Sequence, residues 1–401
     1  MELMGVRVER TTPDRVRLVG EVRYDGAVSA PETYWFDVPE ECAGDLSTTG
    51  DPWLVCMAPL AAALGEPLRI GLPVDRLLAR NVRELMRIWS VWYPSLHEIP
   101  LEIEVADVNP AASGTRIGAF FSGGVDSFFT VLRNDEPAST SLPADDLILV
   151  RGFDFPLEKE EAFGRHRERL RAAARELGKG LVDVVTNLRE TRLREASWAD
   201  LWHGSALVAA ALALEGRYRV LMIASTSSYR ELEPWGSHPM TDALLSTESI
   251  RVIHDGAEFT RLDKIRFLSA SDVALRWLHV CFREVADQNC GRCRKCLLTM
   301  MALSVFGALD RCRTFPAGGL DLERVGRILF QTEGQRRGVR RTRDLAASEG
   351  RTDIVRAINH ALRRSTFLAP ILAGLFRLGR ARGFSTLTHS LRRSLMAVVV
   401  R

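Results

Sequence analysis

From residue 117 onward, short apolar segments alternate with longer helical ones, and this rhythm constrains the fold more than any other feature of the chain. Segments 117–121, 146–150, 181–185 and 220–224 read as strands buried on both faces; 127–133, 158–177 and 201–215 read as helices. Such alternation predicts an α/β fold with a doubly wound parallel sheet. Ligands of such sheets bind outside the carboxyl ends of the strands.

The flanking regions have other rhythms. Segments 6–10, 16–24, 33–38 and 101–105 have strand character, and 51–64 and 74–92 have helical spacing. Asn109-Pro110-Ala111-Ala112-Ser113-Gly114 is the best linker in the chain. We therefore expect an N-terminal α+β domain at 1–112 without recognisable chemistry and a core domain at 113–312. A helical, arginine-rich extension follows at 313–401, with helices at 320–331, 351–364 and 367–378. A length of 401 residues accommodates two or three cores, and 46% hydrophobic residues with a net charge of +3 exclude global disorder. The first ten residues hold no apolar run of the signal-peptide kind. The run at 367–375 is far too short to span a bilayer and contains Pro370, so a cytoplasmic protein without membrane partners is expected.

Only four of the 54 basic residues are lysines (Lys159, Lys179, Lys264, Lys295), and none lies in a G-K-[ST] context, which excludes a Walker A loop. Charge is unevenly spread: residues 336–401 carry +12 and the rest −9. The run Arg336, Arg337, Arg340, Arg341, Arg343, with Arg363-Arg364 and Arg392-Arg393, suits either nucleic acid or a set of solvated helix faces. The few aromatics there (Phe367, Phe376, Phe384) make no stacking platform, which favours the solvated reading. The apolar stretches 367–378 and 396–400 are expected to dock on the protein itself or on a second copy in a homodimer.

Ser122-Gly123-Gly124-Val125-Asp126-Ser127 leaves a strand and opens a helix. Two glycines let the backbone curl around an oxyanion without a Cβ clash, and the helix start offers unpaired N–H groups. Ser122 and Ser127 add hydroxyls. Asp126 fits an anion site only with a cation present, which points to a phosphate chelated by Mg²⁺.

Of seven cysteines, Cys42, Cys56 and Cys312 stand apart, whereas Cys281, Cys290, Cys293 and Cys296 fall within sixteen residues. Four thiolates at this spacing close a tetrahedral structural Zn²⁺ site, with an iron–sulfur cluster as the chemical alternative. Sulfur transfer is disfavoured, because every clustered cysteine is better used as a ligand.

The 122–127 hexapeptide resembles the PP-loop of the ATP pyrophosphatases, which cleave ATP to AMP and pyrophosphate while activating a substrate as its adenylate. Gly152-Phe153-Asp154-Phe155, ahead of a long charged helix, resembles the adenine-side strand of the 7-cyano-7-deazaguanine synthase family of queuosine biosynthesis. The cysteine cluster resembles that family's CxxCxxC site with its upstream cysteine. The match covers roughly residues 115–305. It implies an adenine nucleotide alpha-hydrolase-like fold and a ligase using ATP, Mg²⁺ and Zn²⁺. Ser122, Gly123, Gly124, Val125, Asp126 and Ser127 would hold the triphosphate, with Ser122, Asp126 and Ser127 catalytic, and Phe153 and Asp154 would lie on the adenine side. A small-molecule carboxylate would attack the α-phosphorus, and ammonia or an amine would capture the adenylate.

The family's acceptor-side stretches differ here. A Pro-Gly-Arg-Asn-like segment is replaced by Leu201-Trp202-His203-Gly204-Ser205, and a Tyr-Pro-Asp-Cys-Arg-like loop by Gly236-Ser237-His238-Pro239-Met240-Thr241-Asp242. A different acceptor pocket is thus expected, with His203, Ser225, Ser237, His238 and Asp242 as candidates. Each suits acid–base or binding chemistry, and equally packing or an ordinary loop. The alternatives are a peptide- or sugar-linked carboxylate as acceptor, or a non-catalytic nucleotide-binding adaptor for nucleic acid.

Overall fold

The computed structural model describes residues 1–26, 30–106, 114–137, 141–281 and 288–381, with side chains to residue 368. The expected linker residues 109–113 and the tail beyond 381, with Phe384, Arg392-Arg393 and 396–400, lie outside them. Two compact units divide the chain, residues 1–259 and 260–401. Among the described residues no helix is long and apolar enough to cross a membrane.

The first unit is α/β, built on a ten-stranded, mostly parallel sheet. In chain order it runs β1 (Glu2–Thr12), β2 (Arg15–Arg23), β3 (Glu32–Pro39), α1 (Asp51–Leu64), β4 (Leu68–Asp75), α2 (Arg76–Trp92) and β5 (Leu101–Ala106). It continues with β6 (Arg116–Phe120), α3 (Val125–Asp135), β7 (Asp146–Arg151), α4 (Glu160–Glu176), β8 (Gly180–Thr186), α5 (His203–Leu212), β9 (Tyr218–Ala224), α6 (Pro239–Asp242) and β10 (Arg251–Asp255). The spatial order is β10-β9-β6-β7-β8-β3-β2-β1-β4-β5.

Strands β6 to β10 are all parallel, and β6, the first of them in sequence, sits in the middle. The chain moves outward through β7 and β8, then returns past β6 to β9 and β10. Connections therefore diverge between β6 and β9, leaving a crevice at the carboxyl ends of those strands. Both faces of this region are buried. Phe120, Ile148, Val184, Leu221 and Val252 join the apolar cluster that includes α1 and α5, while the alternate positions Ala119, Leu147, Leu149 and Met222 are buried too.

The N-terminal strands do not form a sheet of their own. β3 pairs antiparallel with β8 through Phe36↔Thr186 and Asp37↔Val185. Around this short ladder, Thr186 Oγ1 donates to the Trp35 carbonyl at 2.7 Å, and Asn187 accepts from Trp35 N at 3.0 Å and donates to Thr33 O at 2.7 Å. Arg15 bonds Asp37 and donates to the Asp183 carboxylate at 3.0 Å. Each of these charges is compensated where it leaves water.

Two strands go beyond the sequence expectation. β4 occupies a stretch partly read as the start of a helix, and β10 lies where no strand was expected. In α2, Asp75 caps the helix by accepting from Leu78 N at 2.9 Å, which fixes the helix start two residues later than its periodicity suggested.

The second unit is helical: α7 (Arg261–Leu268), α8 (Asp272–Trp277), α9 (Arg294–Val305), α10 (Leu322–Arg327), α11 (Glu333–Ser348) and α12 (Thr352–Ala381). Its core gathers Leu297, Met301, Val325, Phe330, Val339, Ile354 and Ile358. The two helices expected at 351–364 and 367–378 are the single helix α12. Ser365 and Thr366, between the two expected segments, return their hydroxyls to the carbonyls of Ala361 and Leu362, at 2.7 and 3.1 Å, and the helix continues. The arginine run forms α11, where Arg340 bonds Glu333 at 2.5 Å and Arg343 bonds Asp344 at 2.6 Å.

Candidate functional site

The glycine loop leaves the carboxyl end of β6, at the diverging crevice. Gly123 has φ +73°, a conformation that glycine adopts without strain. Gly124, extended at φ −80° and ψ 174°, caps α3 without a side-chain cap hydrogen bond. Ser122 is exposed and accepts from Gly124 N at 3.4 Å; Ser127 is buried and donates to Gly124 O at 3.2 Å. Val125 is buried and anchors the first turn of the helix, whereas Asp126 is half-exposed. A curled backbone, a free helix start and an accessible carboxylate make an arrangement that can take an anion together with a cation.

Helix α3 is held in place from the strand end. Asp255, closing β10, accepts from Thr130 Oγ1 at 2.7 Å and from Asn134 at 3.4 Å. Phe121 N, leading into the loop, donates to Ile148 O at 2.8 Å.

After β7 the chain turns at Gly152, with φ +100°; a Cβ there would lie 1.8 Å from the Thr186 carbonyl oxygen. Only glycine fits, and the turn presents a buried Phe153 and an exposed Asp154. Phe153 packs 5.0 Å from Trp198 in the π-helical turn Trp198–Trp202, and Arg189 stacks over Trp198 at 4.6 Å. Trp198 and Trp235 flank the His203 ring, each with its centroid 5.9 Å away.

Segments 201–205 and 236–242 touch each other. Gly204 N donates to Gly236 O at 2.8 Å, and Gly236 N to Ala199 O at 3.0 Å. Both contacts require glycine: a Cβ on Gly204 would lie 2.6 Å from Gly236 O and 2.9 Å from Asp242 Oδ1, and one on Gly236 would lie 2.6 Å from His203 Nδ1. Asp242 is the hub of this region. Its fully buried carboxylate accepts from Ser237 Oγ at 2.7 Å, from His238 N at 3.2 Å and from His254 Nδ1 at 2.7 Å.

The His254 ring bonds this carboxylate, and the His203 and His238 rings lie within reach of its charge. Burial lowers the pKa of His203, an effect that Asp242 partly offsets, and the carbonyl of Trp198, 3.2 Å from Nδ1, can only accept, so the proton sits on Nδ1. Burial also lowers His238, helped by the neighbouring His254; its Nδ1 accepts from Met240 N at 3.1 Å, and its ring packs 5.0 Å from Trp92.

Of the expected pocket residues, His203, Ser237, His238 and Asp242 come together. Ser225 does not join them: it starts the loop after β9, where its hydroxyl donates to Ser227 O at 2.5 Å and its N–H to Asp255 O at 2.8 Å. Sequence reading missed His254, Trp92 and Trp198. His254 belongs to the unforeseen strand β10, and the β-branched pair Val252-Ile253 ahead of it was the available signal.

In the second unit, the sulfur atoms of Cys281, Cys290, Cys293 and Cys296 lie within 4.8 Å of one another, with Cys281–Cys293 at 4.0 Å and Cys290–Cys296 at 3.9 Å. Tetrahedral ligands about 2.3 Å from zinc sit about 3.8 Å apart, so the donor set fits such an ion. Gly291, at φ +66°, turns the knuckle, and Cys293 caps α9. Backbone N–H groups of Cys293 and Cys296 point at the sulfurs of Cys290 and Cys293, at 3.3 and 3.5 Å. The neighbouring Cys293 thiol, with burial, pushes the Cys296 thiol far up. The cluster can hold a metal ion. Asn289, buried beside it, bonds Val280 N, Leu278 O and Thr314 Oγ1 at 2.8 to 2.9 Å and fixes the entering chain. Cys312 lies apart from the cluster, its sulfur 3.5 Å from Thr314 Oγ1.

The chain matches no family model, no curated protein and no solved structure.

Proposed function

We propose that this chain is an ATP-dependent adenylating enzyme of the PP-loop type, similar to 7-cyano-7-deazaguanine synthase, on a doubly wound, adenine nucleotide alpha-hydrolase-like core. The observation that carries the reading is the position of Ser122–Ser127: at the carboxyl end of the central strand β6, where connections diverge, and opening an eleven-residue helix. In this reading the loop N–H groups hold the β- and γ-phosphates, and Asp126 holds Mg²⁺. The same N–H groups stabilise charge developing on the departing pyrophosphate. Phe153 and Asp154 border the adenine. The substrate carboxylate attacks the α-phosphorus, pyrophosphate leaves, and ammonia or an amine displaces AMP from the acyl adenylate.

The Asp242 region is the acceptor side, and its difference from the synthase pattern supports an acceptor other than, or larger than, a deazaguanine carboxylate. Cys281, Cys290, Cys293 and Cys296 would hold Zn²⁺, whose contribution is to cross-link the start of α9 to the preceding chain. Arg340 and Arg343 of α11 are engaged by Glu333 and Asp344, which favours the solvated-face reading over nucleic-acid binding. The test is acceptor-dependent conversion of ATP to AMP and pyrophosphate by the full chain. Candidate acceptors are 7-carboxy-7-deazaguanine, N-acetylglycine and glucuronate, with ammonia as nucleophile. Hydrolysis of ATP to ADP, or no nucleotide turnover with any of them, would reject the reading.

A further inference from the structure

We propose that His254 is the proton acceptor for the amine that captures the adenylate, and that Asp242 is its positioning residue. The inference rests on the adenylation reading and adds to it a residue that neither the resemblance nor the sequence pattern assigns.

The geometry is that of a carboxylate–imidazole couple. His254 Nδ1 lies 2.7 Å from Asp242 Oδ2, the two side chains being 5% and 1% exposed. A carboxylate accepts, so Nδ1 carries the proton and the Nε2 lone pair is left for another proton. Among the described residues no partner holds that Nε2. Asp242 is held in place by Ser237 Oγ and His238 N, which donate to it at 2.7 and 3.2 Å. The couple stands at the carboxyl end of β10, paired to the strand that flanks the glycine loop's own strand. The 201–205 segment packs against the same carboxylate, a Cβ on Gly204 falling 2.9 Å from Asp242 Oδ1.

The step balances. The amine lone pair forms the C–N bond at the acyl carbon of the adenylate, and the C–O bond to AMP breaks with its electron pair leaving on the phosphate. The proton released by nitrogen passes to His254 Nε2, and Asp242 stabilises the resulting imidazolium.

The test compares wild type, H254Q, H254A and D242N for amide formation and pyrophosphate release, using ATP, Mg²⁺, ammonia and the three carboxylates above. We expect amide formation by H254Q to fall about 100-fold, far more than pyrophosphate release, and free imidazole to restore H254A. D242N should fall in kcat with little change in KM. Amide formation by H254Q in wild-type proportion to pyrophosphate release overturns the inference, as does H254A unresponsive to imidazole. Wild type that releases no pyrophosphate with any carboxylate overturns the adenylation reading and this inference together.

Discussion

Thr130 and Asp255 join the helix behind the glycine loop to the end of β10, across 125 residues of sequence, by a 2.7 Å hydrogen bond. Both are buried, at 1% and 8% exposure, so the bond cannot be replaced by water without opening the structure. Thr130→Val leaves a buried carboxylate short of a donor and should cost about 1–3 kcal/mol of stability. Urea denaturation reads this as a lower midpoint at unchanged slope. An unaltered midpoint would mean that α3 is held by its apolar face alone.

Gly204→Ala places a methyl against Gly236 O and Asp242 Oδ1. The expected cost is about 1–3 kcal/mol, from overpacking against backbone that has little room to move. Gly338→Ala, in α11 with open space at its Cβ, is the control and should gain slightly from helix propensity.

Asp51 is buried beside Asp75 and Glu215, and burial, with those charges, pushes its carboxyl up to about 8. The folded state therefore keeps a proton that the unfolded chain loses at about pH 4. Stability from this group is full below that pH and is lost as pH rises from about 4 to about 8. Asp51→Asn retains the acceptor for Asp75 N, a 2.8 Å bond in the wild type, and removes the titration. The stability of wild type relative to the variant should decline across this window, measured by denaturation at intervals of pH. A constant difference would contradict the placement of Asp51.

The cysteine centre predicts about one zinc per chain by elemental analysis. Cys293→Ser should abolish stoichiometric zinc, whereas Cys312→Ser should retain it. Cobalt substitution should give the intense visible absorption of a tetrahedral thiolate site. Iron with inorganic sulfide would instead identify a cluster.

Where pattern and chemistry are local, the sequence was informative. α1 coincides with the segment read as 51–64, and the five-residue strand β6 and its glycine turn follow from apolar clustering and glycine placement. The four cysteines announce themselves by spacing alone. What escaped is long-range. Nothing near Phe36 or Thr186 signals their pairing, which joins the N-terminal strands to the parallel ones through two residue pairs and the side chains of Arg15 and Asn187. The gathering around Asp242 was legible only in part: His203, Ser237, His238 and Asp242 were expected together, whereas His254 reaches them only through the placement of β10 beside β9. His254 was hidden further by its short edge strand, in which five residues and a histidine give no clear alternation.

The central claim is that Ser122–Ser127 binds and activates ATP, and the most direct measurement is acceptor-dependent pyrophosphate release by wild type and Asp126→Ala. The account predicts AMP and pyrophosphate in equal amounts from wild type with Mg²⁺, and a fall of at least about 100-fold in the variant, whose folding is checked by circular dichroism. Full pyrophosphate release by Asp126→Ala would contradict it.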